Sequence, residues 1–314
     1  MAALMTRAPE PLGAVVASEL ATWPEGAAAG VLARPSVARP SVARPSVARP
    51  SPADGAQLVA ASGAVDEVYE WASVTKLLVS VASMVALEEG IVSLEDPAGP
   101  PGATLSHLLA HASGLPFSGD RPIAAPAHRR VYSNTGIELA AAHLEKAAGM
   151  PFVEYLSVGV LEPLGMRKTV LDGSPAQGAS GPLGDLLALA GELLTPSLVS
   201  PETLRTAASV AWPGLAGVVP GFGRQHPCDW GLGPEIRSHK SPHWTGSANS
   251  PQTFGHFGQS GSFLWVDPVA NLAAAGLSST PFGPWAKQVW PTFSDAVLAT
   301  CGRQSSSDED VGQR

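Results

Sequence analysis

The sequence EWASVTKLLVSVASMVALEEG, residues 70–90, decides the fold, because it holds the clearest helix and the most distinctive pair of polar side chains. Its apolar residues form one broad face and Gly90 is suited to end a helix, so the spacing predicts a helix over Ser73–Glu89. Ser73 and Lys76 are three residues apart, which places them on one face of that helix. The chain has five lysines, and only Lys76 has a serine three residues before it.

This spacing is one in which a serine can be activated. A serine hydroxyl is a poor nucleophile until a base takes its proton. A lysine amine can be that base if desolvation or a nearby positive charge lowers its pKa. The start of a helix adds backbone N–H donors and a positive potential. The alternative is an ordinary surface serine and lysine, since Ser-x-x-Lys alone is weak evidence.

Two later segments carry further candidate side chains. Tyr132 is the only tyrosine of three with an asparagine two residues on. A tyrosine near a lysine can be held partly as phenolate and shuttle a proton. The Asn134 amide could orient a lysine and a substrate carbonyl, or it could cap the following helix.

The second of these segments, GHFGQSG at 255–261, predicts a glycine-rich strand along which a substrate can approach the backbone. His256 in this strand could donate a hydrogen bond or modulate the tyrosine. The alternative is a half-buried histidine on a tight β-edge.

The three segments, in this order, resemble the Ser-x-x-Lys, Tyr-x-Asn and Lys/His-x-Gly motifs of the serine β-lactamase and penicillin-binding protein family. The resemblance is closest to the class C and D,D-peptidase branch, which includes cytoplasmic esterases. The stretches LEDP at 94–97, LLAHASGL at 108–115 and LEPLGM at 161–166 are also similar, and the resemblance runs from about residue 13 to residue 299. It implies an α/β (α+β) fold, a β-lactamase/transpeptidase-like antiparallel sheet flanked by helices with a helical insertion.

The resemblance also implies a role for each candidate residue. Ser73 is the expected nucleophile that becomes acylated, and Lys76 and Tyr132 share the general acid–base work. Asn134 positions Lys76 and the substrate amide or ester. The expected oxyanion and substrate-binding residues are Gln259, His256 and Gly258, with the backbone N–H groups of Ser73 and Gln259 forming the oxyanion hole.

The third motif departs from the family pattern, because it reads His-Phe-Gly where many relatives have Lys-Thr-Gly. A fixed lysine cation for a substrate carboxylate is therefore missing, and Phe257 is expected to present apolar surface to the substrate. We expect a serine hydrolase that acts on small esters or amides through an acyl-enzyme at Ser73. The alternatives are a catalytically weak ligand-binding or sensor protein with this fold and, among enzymes, a β-lactamase or D-amino-acid peptidase.

Composition excludes several other classes of protein. The 314 residues are 45% hydrophobic with a net charge of −8, which argues against a general nucleic-acid binder. No apolar stretch approaches the about 18 residues of a membrane span, and residues 1–25 show no secretory signal. Two cysteines make no disulfide framework. The prediction is a cytoplasmic protein with a small-molecule substrate and neither a membrane nor a nucleic-acid partner.

Histidine spacing gives no reason to expect a metal or another cofactor. His107 and His111 are four residues apart, but Leu108 stands where the zinc-protease motif has glutamate. A packing or capping role is the simpler reading of both. A second group matches no standard metal-site spacing: His226, Cys228, His239 and His243.

The predicted organisation is a single catalytic domain over residues 1–303. An Ala-Arg-Pro-Ser-Val repeat at 33–52 predicts an inserted polyproline-like loop, because proline at every fifth position excludes helix and sheet interior. Residues from about 91 to 205 form a mainly helical subdomain, and the polar tail 304–314 is predicted to be disordered. Predicted strands are Ala27–Leu32, Gln57–Ala61, Ser262–Val266 and Leu272–Leu277. Further predicted helices are 11–24, Leu105–His111, Asn134–Ala148, Leu183–Leu194 and Trp285–Thr300.

Overall fold

Residues 10–35 and 55–311 are described by a computed structural model, with side chains described up to residue 302. Most of the predicted repeat loop, 36–52, lies outside the described residues. The strands are β1 (Ala28–Ala33), β2 (Gln57–Gly63), β3 (Tyr69–Glu70), β4 (Val170–Leu171), β5 (Ala179–Gly181), β6 (Gly217–Val219), β7 (Gly223–Gln225), β8 (Glu235–Ile236), β9 (Phe254–Gly258), β10 (Ser262–Asp267) and β11 (Leu272–Leu277). The helices are α1 (Leu12–Leu20), α2 (Thr75–Glu88), α3 (Leu105–Leu109), α4 (Asn134–Ala148), α5 (Phe152–Leu156), α6 (Leu183–Leu194), α7 (Pro201–Ala207) and α8 (Pro284–Val311). A 3₁₀ turn covers Ala72–Val74 and a π-helical segment covers Ser157–Leu161.

One antiparallel sheet joins strands from the two ends of this sequence, in the order β2-β1-β11-β10-β9-β8. In it, Ala28 of β1 lies opposite Leu277 of β11. Every residue of β9, β10 and β11 is buried, because helices and loops cover both faces of the sheet. This arrangement confirms the predicted fold, an antiparallel sheet flanked by helices.

Two apolar cores lie on opposite faces of the sheet. One contains residues of α1 and α8 and is rich in aromatic rings, such as Trp23, Phe263 and Phe293. The larger core lies under the other face and buries α2 among α4, α5 and α7. Helix α6 packs directly on β1, β10 and β11, so part of the segment 91–205 flanks the main sheet. The catalytic candidates on α2 and α4 therefore lie on the same face of the sheet as this larger core.

Two predicted helices are shorter in the structure, because α1 ends at Leu20 rather than residue 24 and α3 at Leu109 rather than His111. Two other helix ends differ as well. The helix predicted from Ser73 begins with a 3₁₀ turn, and its α-helical part starts at Thr75. Helix α8 continues past Thr300 to Val311, into the tail predicted to be disordered over 304–314. Once its earlier turns are packed on the sheet, a helix extends at little cost through polar residues that lack proline. Residues 312–314 lie outside the described part.

Candidate active site

The turn that carries Ser73 is held by its neighbours in an unfavourable conformation. Ala72 has φ +42°, in the left-handed region that disfavours residues other than glycine. The Trp71 N–H donates to the Ala179 carbonyl at 2.8 Å, and the Ser262 hydroxyl donates to the Trp71 carbonyl at 2.7 Å. Strands β5 and β10 therefore fix the turn from two sides. Ser73 at its centre is partly exposed.

Lys76 lies below this serine as a fully buried amine. Its Nζ is 3.1 Å from Ser73 Oγ and donates to Asn134 Oδ1 and to the Ala176 carbonyl, each at 2.8 Å. Burial lowers the pKa of Lys76 to about 7, while the charge of Glu138 raises it. A substantial fraction of this amine is neutral near pH 7, and a neutral amine can accept the Ser73 proton.

Tyr132 is half-buried beside the same amine, with Lys76 Nζ 4.8 Å from the centre of its ring. Burial raises the pKa of Tyr132, and hydrogen bonding with Ser73 acts in the opposite direction. Burial therefore disfavours the phenolate form that the sequence allowed for this tyrosine. The neutral phenol is a proton donor instead.

Asn134 is the first residue of α4, and its side chain belongs to the site rather than to the helix cap. The cap is formed by Ser133, whose Oγ accepts from the Gly136 N–H at 2.9 Å. The Asn134 amide is thus free to accept from Lys76 and to donate to Gln177 Oε1 at 3.2 Å. Ser133, and not Asn134, therefore caps this helix.

The third segment forms β9, and side chains along a strand alternate between faces. His256 lies on the face of Tyr132, with ring centres 5.9 Å apart. Phe257 belongs to the core on the opposite face, so the prediction that it presents apolar surface to the substrate is wrong. Its ring contacts there include Phe222, Trp244 and Phe282.

His256 is buried rather than half-buried, because β8 covers the side of β9 that was expected to be an edge. Its Nδ1 lies 2.7 Å from the Phe257 carbonyl oxygen. Burial, with a smaller contribution from the Lys76 charge, lowers the pKa of His256 to about 3. The ring is therefore neutral at physiological pH and supplies no fixed positive charge.

Gly258 lets the end of β9 come against the nucleophile turn. A Cβ at this position would lie 2.4 Å from the Trp71 carbonyl oxygen and 3.2 Å from Ala72 Cβ, so a larger residue does not fit. Gln259 follows this contact, and its carbonyl accepts from the Phe282 N–H at 2.9 Å. The oxyanion hole formed by the N–H groups of Ser73 and Gln259 stays a prediction.

Sequence reasoning missed several residues around the site, among them Ala176 and Gln177, which bond Lys76 and Asn134. Glu138 is one helical turn after Asn134, and this spacing could have placed its charge near Lys76. Trp230 packs against Tyr132, and so does His111, which the sequence leaves in a packing role. Only the three-dimensional fold brings Trp230 here, since no local pattern links it to the three motifs.

The histidine groups considered for metal binding are dispersed. His107 Nδ1 lies 2.8 Å from Thr104 Oγ1 at the start of α3, whereas the His111 ring faces Tyr132. In the other group, His226 and His239 are exposed while Cys228 and His243 are buried. Among the described residues, no three His, Cys, Asp or Glu side chains are arranged to hold a metal ion. The helices of that same part include none long and apolar enough to cross a membrane.

Comparison with known proteins gives one family. The profile of the Beta-lactamase family matches residues 25–298. The crystal structure of a beta-lactamase from Mycobacterium bovis is 48% identical in sequence, with a TM-score of 0.82 over 90% of this chain and 98% of that chain. EstCE1, described as a hydrolase with promiscuous acyltransferase activity, shares the fold at 17% identity, with a TM-score of 0.69 over 92% of this chain and 97% of that one.

A curated relative matches over a shorter range. The D-alanyl-D-alanine-carboxypeptidase/endopeptidase AmpH of Escherichia coli (strain K12) is 31% identical over 36% of this chain and 39% of its own length. This chain thus matches about two fifths of that relative.

Proposed function

The chain belongs to the beta-lactamase family, and from that membership we propose that it is a serine hydrolase that cleaves small esters or amides through an acyl-enzyme on Ser73. One observation carries the proposal. Lys76 Nζ lies 3.1 Å from Ser73 Oγ in a buried position that lowers the pKa of the amine to about 7. Such an amine can act as base at neutral pH, as a serine nucleophile requires.

Acylation begins when neutral Lys76 takes the proton of Ser73. The serine oxygen then forms a bond to the substrate carbonyl carbon, and the carbonyl oxygen becomes an oxyanion. The backbone N–H groups of Ser73 and Gln259 stabilise it, an effect worth roughly 10²–10³ in rate per donor in acyl-transfer sites. When the bond to the leaving group breaks, Tyr132 donates its phenolic proton to that group and regains one from the Lys76 ammonium. The acyl-enzyme remains with neutral Lys76.

Deacylation uses the same groups in reverse roles. Water attacks the acyl carbon and gives its proton to Lys76, either directly or through Tyr132. The bond to Ser73 Oγ breaks, the Lys76 ammonium returns its proton to the serine oxygen, and the carboxylic acid product leaves. Asn134 keeps the lysine oriented throughout, since it accepts a hydrogen bond from Nζ at 2.8 Å.

The electrostatics of the third motif favour neutral substrates. His256 stands where a lysine would hold a substrate carboxylate, and burial lowers its pKa to about 3. Small uncharged esters need no cation at this position, whereas a penicillin carboxylate finds none at His256. Phe257 plays no part in this preference, because it lies on the other face of the sheet.

A β-lactamase is the second candidate. It is favoured by the 48% identity to the protein described as a beta-lactamase from Mycobacterium bovis. A D-amino-acid peptidase has weaker support, because the relative with that description matches over 36% of this chain.

Intact mass after exposure to a fluorophosphonate probe tests the proposed function. The wild type should gain one adduct, Ser73→Ala should gain none, and Ser83→Ala, a buried serine in the same helix, should label like the wild type. An unlabelled wild type would leave the binding or sensor alternative. The kcat/KM values for p-nitrophenyl acetate, benzylpenicillin and a D-alanyl p-nitroanilide then separate the enzyme classes. Penicillin turnover as efficient as that of the ester would select the β-lactamase.

A further inference from the structure

Two buried histidines beside Tyr132 each have one ring nitrogen without a partner. His111 is completely buried and His256 is 3% exposed. Their ring centres lie 4.6 and 5.9 Å from that of Tyr132, and 5.1 and 5.8 Å from that of Trp230. Within the described chain, no protein group is hydrogen-bonded to Nε2 of either ring. A buried polar atom left in this way is destabilising, so a partner for both nitrogens is favoured.

The other nitrogen of each ring determines where the proton sits. The Ser133 N–H donates to His111 Nδ1 at 3.2 Å, so this nitrogen carries no proton and the neutral ring has its N–H at Nε2. His256 Nδ1 faces the Phe257 carbonyl oxygen, which can only accept, so here Nδ1 carries the proton and Nε2 is an acceptor. Burial lowers the pKa of both rings and keeps them neutral. The two rings are thus opposite tautomers.

We propose that one water molecule lies between the two nitrogens, accepting from His111 Nε2–H and donating to His256 Nε2, and that His111 is thereby a positioning residue for Tyr132. Water can donate and accept at once, which is what two opposite tautomers require. The bridge links the Ser133 backbone, directly after Tyr132, to the Phe257 backbone in β9. It therefore holds the segment that carries Tyr132 against strand β9.

The role of Tyr132 in this proposal rests on the proposed function, but the tautomers and the water do not. Two-bond ¹H–¹⁵N NMR spectra of the histidine rings report the tautomers in the wild-type protein. His111 should show the Nε2–H form and His256 the Nδ1–H form, both neutral between pH 6 and 8. The same tautomer in both rings, or a cationic ring in that pH range, would overturn the proposal. A high-resolution crystal structure should place one water within hydrogen-bonding distance of both Nε2 atoms, and its absence there would also overturn it.

Substitutions of His111 test the positioning role. His111→Asn keeps an acceptor near Nδ1 for Ser133, removes the Nε2 donor, and suits the left-handed φ of +54° at this residue. It should lower kcat about 100-fold with little change in KM, the order of loss expected from a displacement of about 1 Å. His111→Gln places an amide N–H near the lost donor and should recover much of the rate.

The matched control is His107→Asn, one turn earlier, which should leave kcat unchanged because His107 contacts Thr104 and Trp212 instead of Tyr132. Wild-type kcat in His111→Asn would refute the positioning role. If His111→Gln does not recover the kcat that His111→Asn loses, the role of the His111 Nε2–H donor is refuted. A wild type that the fluorophosphonate does not label defeats the proposed function alone, since NMR and crystallography still decide the tautomers and the water.

Discussion

The pH dependence of acylation is the most direct test of Lys76 as the base. Burial lowers its pKa from 10.5 to about 7, which corresponds to a penalty of roughly 5 kcal/mol on the charged amine. At pH 7 about half of this lysine is neutral, whereas an ordinary lysine would be neutral in only about 0.03% of molecules. The fold therefore enlarges the population able to accept a proton by more than about a thousandfold.

We expect kcat/KM for p-nitrophenyl acetate to rise with pH, to be half-maximal near pH 7, and to be about tenfold below its plateau at pH 6. This ester does not titrate, so the profile reports groups of the free enzyme. Neither histidine of the site can produce this limb, because burial lowers their pKa values as well, that of His256 to about 3. The assay is initial rates at low substrate concentration between pH 5.5 and 9.

A pair of isosteric variants assigns the limb to the lysine. The charge of Glu138 raises the pKa of Lys76, so Glu138→Gln should move the limb to lower pH. Glu145→Gln, on the same helix but bonded to the Phe152 N–H, should leave the limb in place. A wild-type profile that is flat between pH 6 and 8, or a limb that stays or moves upward in Glu138→Gln, would refute the reasoning.

Three further results are expected. Lys76→Ala and Tyr132→Phe should each cripple acylation in stopped-flow assays, with the double variant little worse than the worse single one, because the two side chains act as one unit; losses that multiply would contradict this. Gly258→Ala should lower kcat/KM by about 10- to 100-fold, because the new Cβ would lie 2.4 Å from the Trp71 carbonyl oxygen and would push the nucleophile turn away. Unchanged kinetics would show that the position of this turn does not matter for the rate. Glu235→Gln should destabilise the protein by about 3–5 kcal/mol in urea unfolding, because it leaves the buried ammonium 3.2 Å away unpaired. The partner charge holds the pKa of Glu235 below its usual 4.5, so the difference from wild type should be full above pH 4.5 and shrink as the pH falls; a constant difference would contradict the pairing.

Sequence periodicity predicted the elements that it could constrain. The bounds of Asn134–Ala148, Leu183–Leu194 and Leu272–Leu277 agree with the structure, because each segment is long enough to show a period and has a clear start or end. The short strands β3 to β8 contain two or three residues each, too few to show a period. The contact between Ser73 and Lys76 could be predicted from the sequence because the two residues are only three positions apart.

The outcomes at Phe257 and Tyr132 have different physical causes. Every residue of β9 is buried, so hydrophobicity does not alternate along the strand and cannot tell which side chains face the site. The phenolate form that the sequence allowed for Tyr132 is disfavoured because its protonation state depends on burial in the folded protein. Trp230, which packs against Tyr132, comes from a distant segment whose approach is set by tertiary packing.

The grip of β10 on the nucleophile turn has a consequence for biosynthesis. The hydroxyls of Ser260 and Ser262 bond the carbonyls of Glu70 and Trp71, which leave the ribosome some 190 residues earlier. Until β10 emerges, the Ser262 hydrogen bond cannot help to hold Ala72 in its unfavourable backbone conformation. Contacts this distant in sequence also close slowly, because the entropy of the intervening chain must be lost first. We therefore expect nascent chains that end before residue 262 to lack reactivity toward serine-directed probes, so the nucleophile would be switched on only late in synthesis.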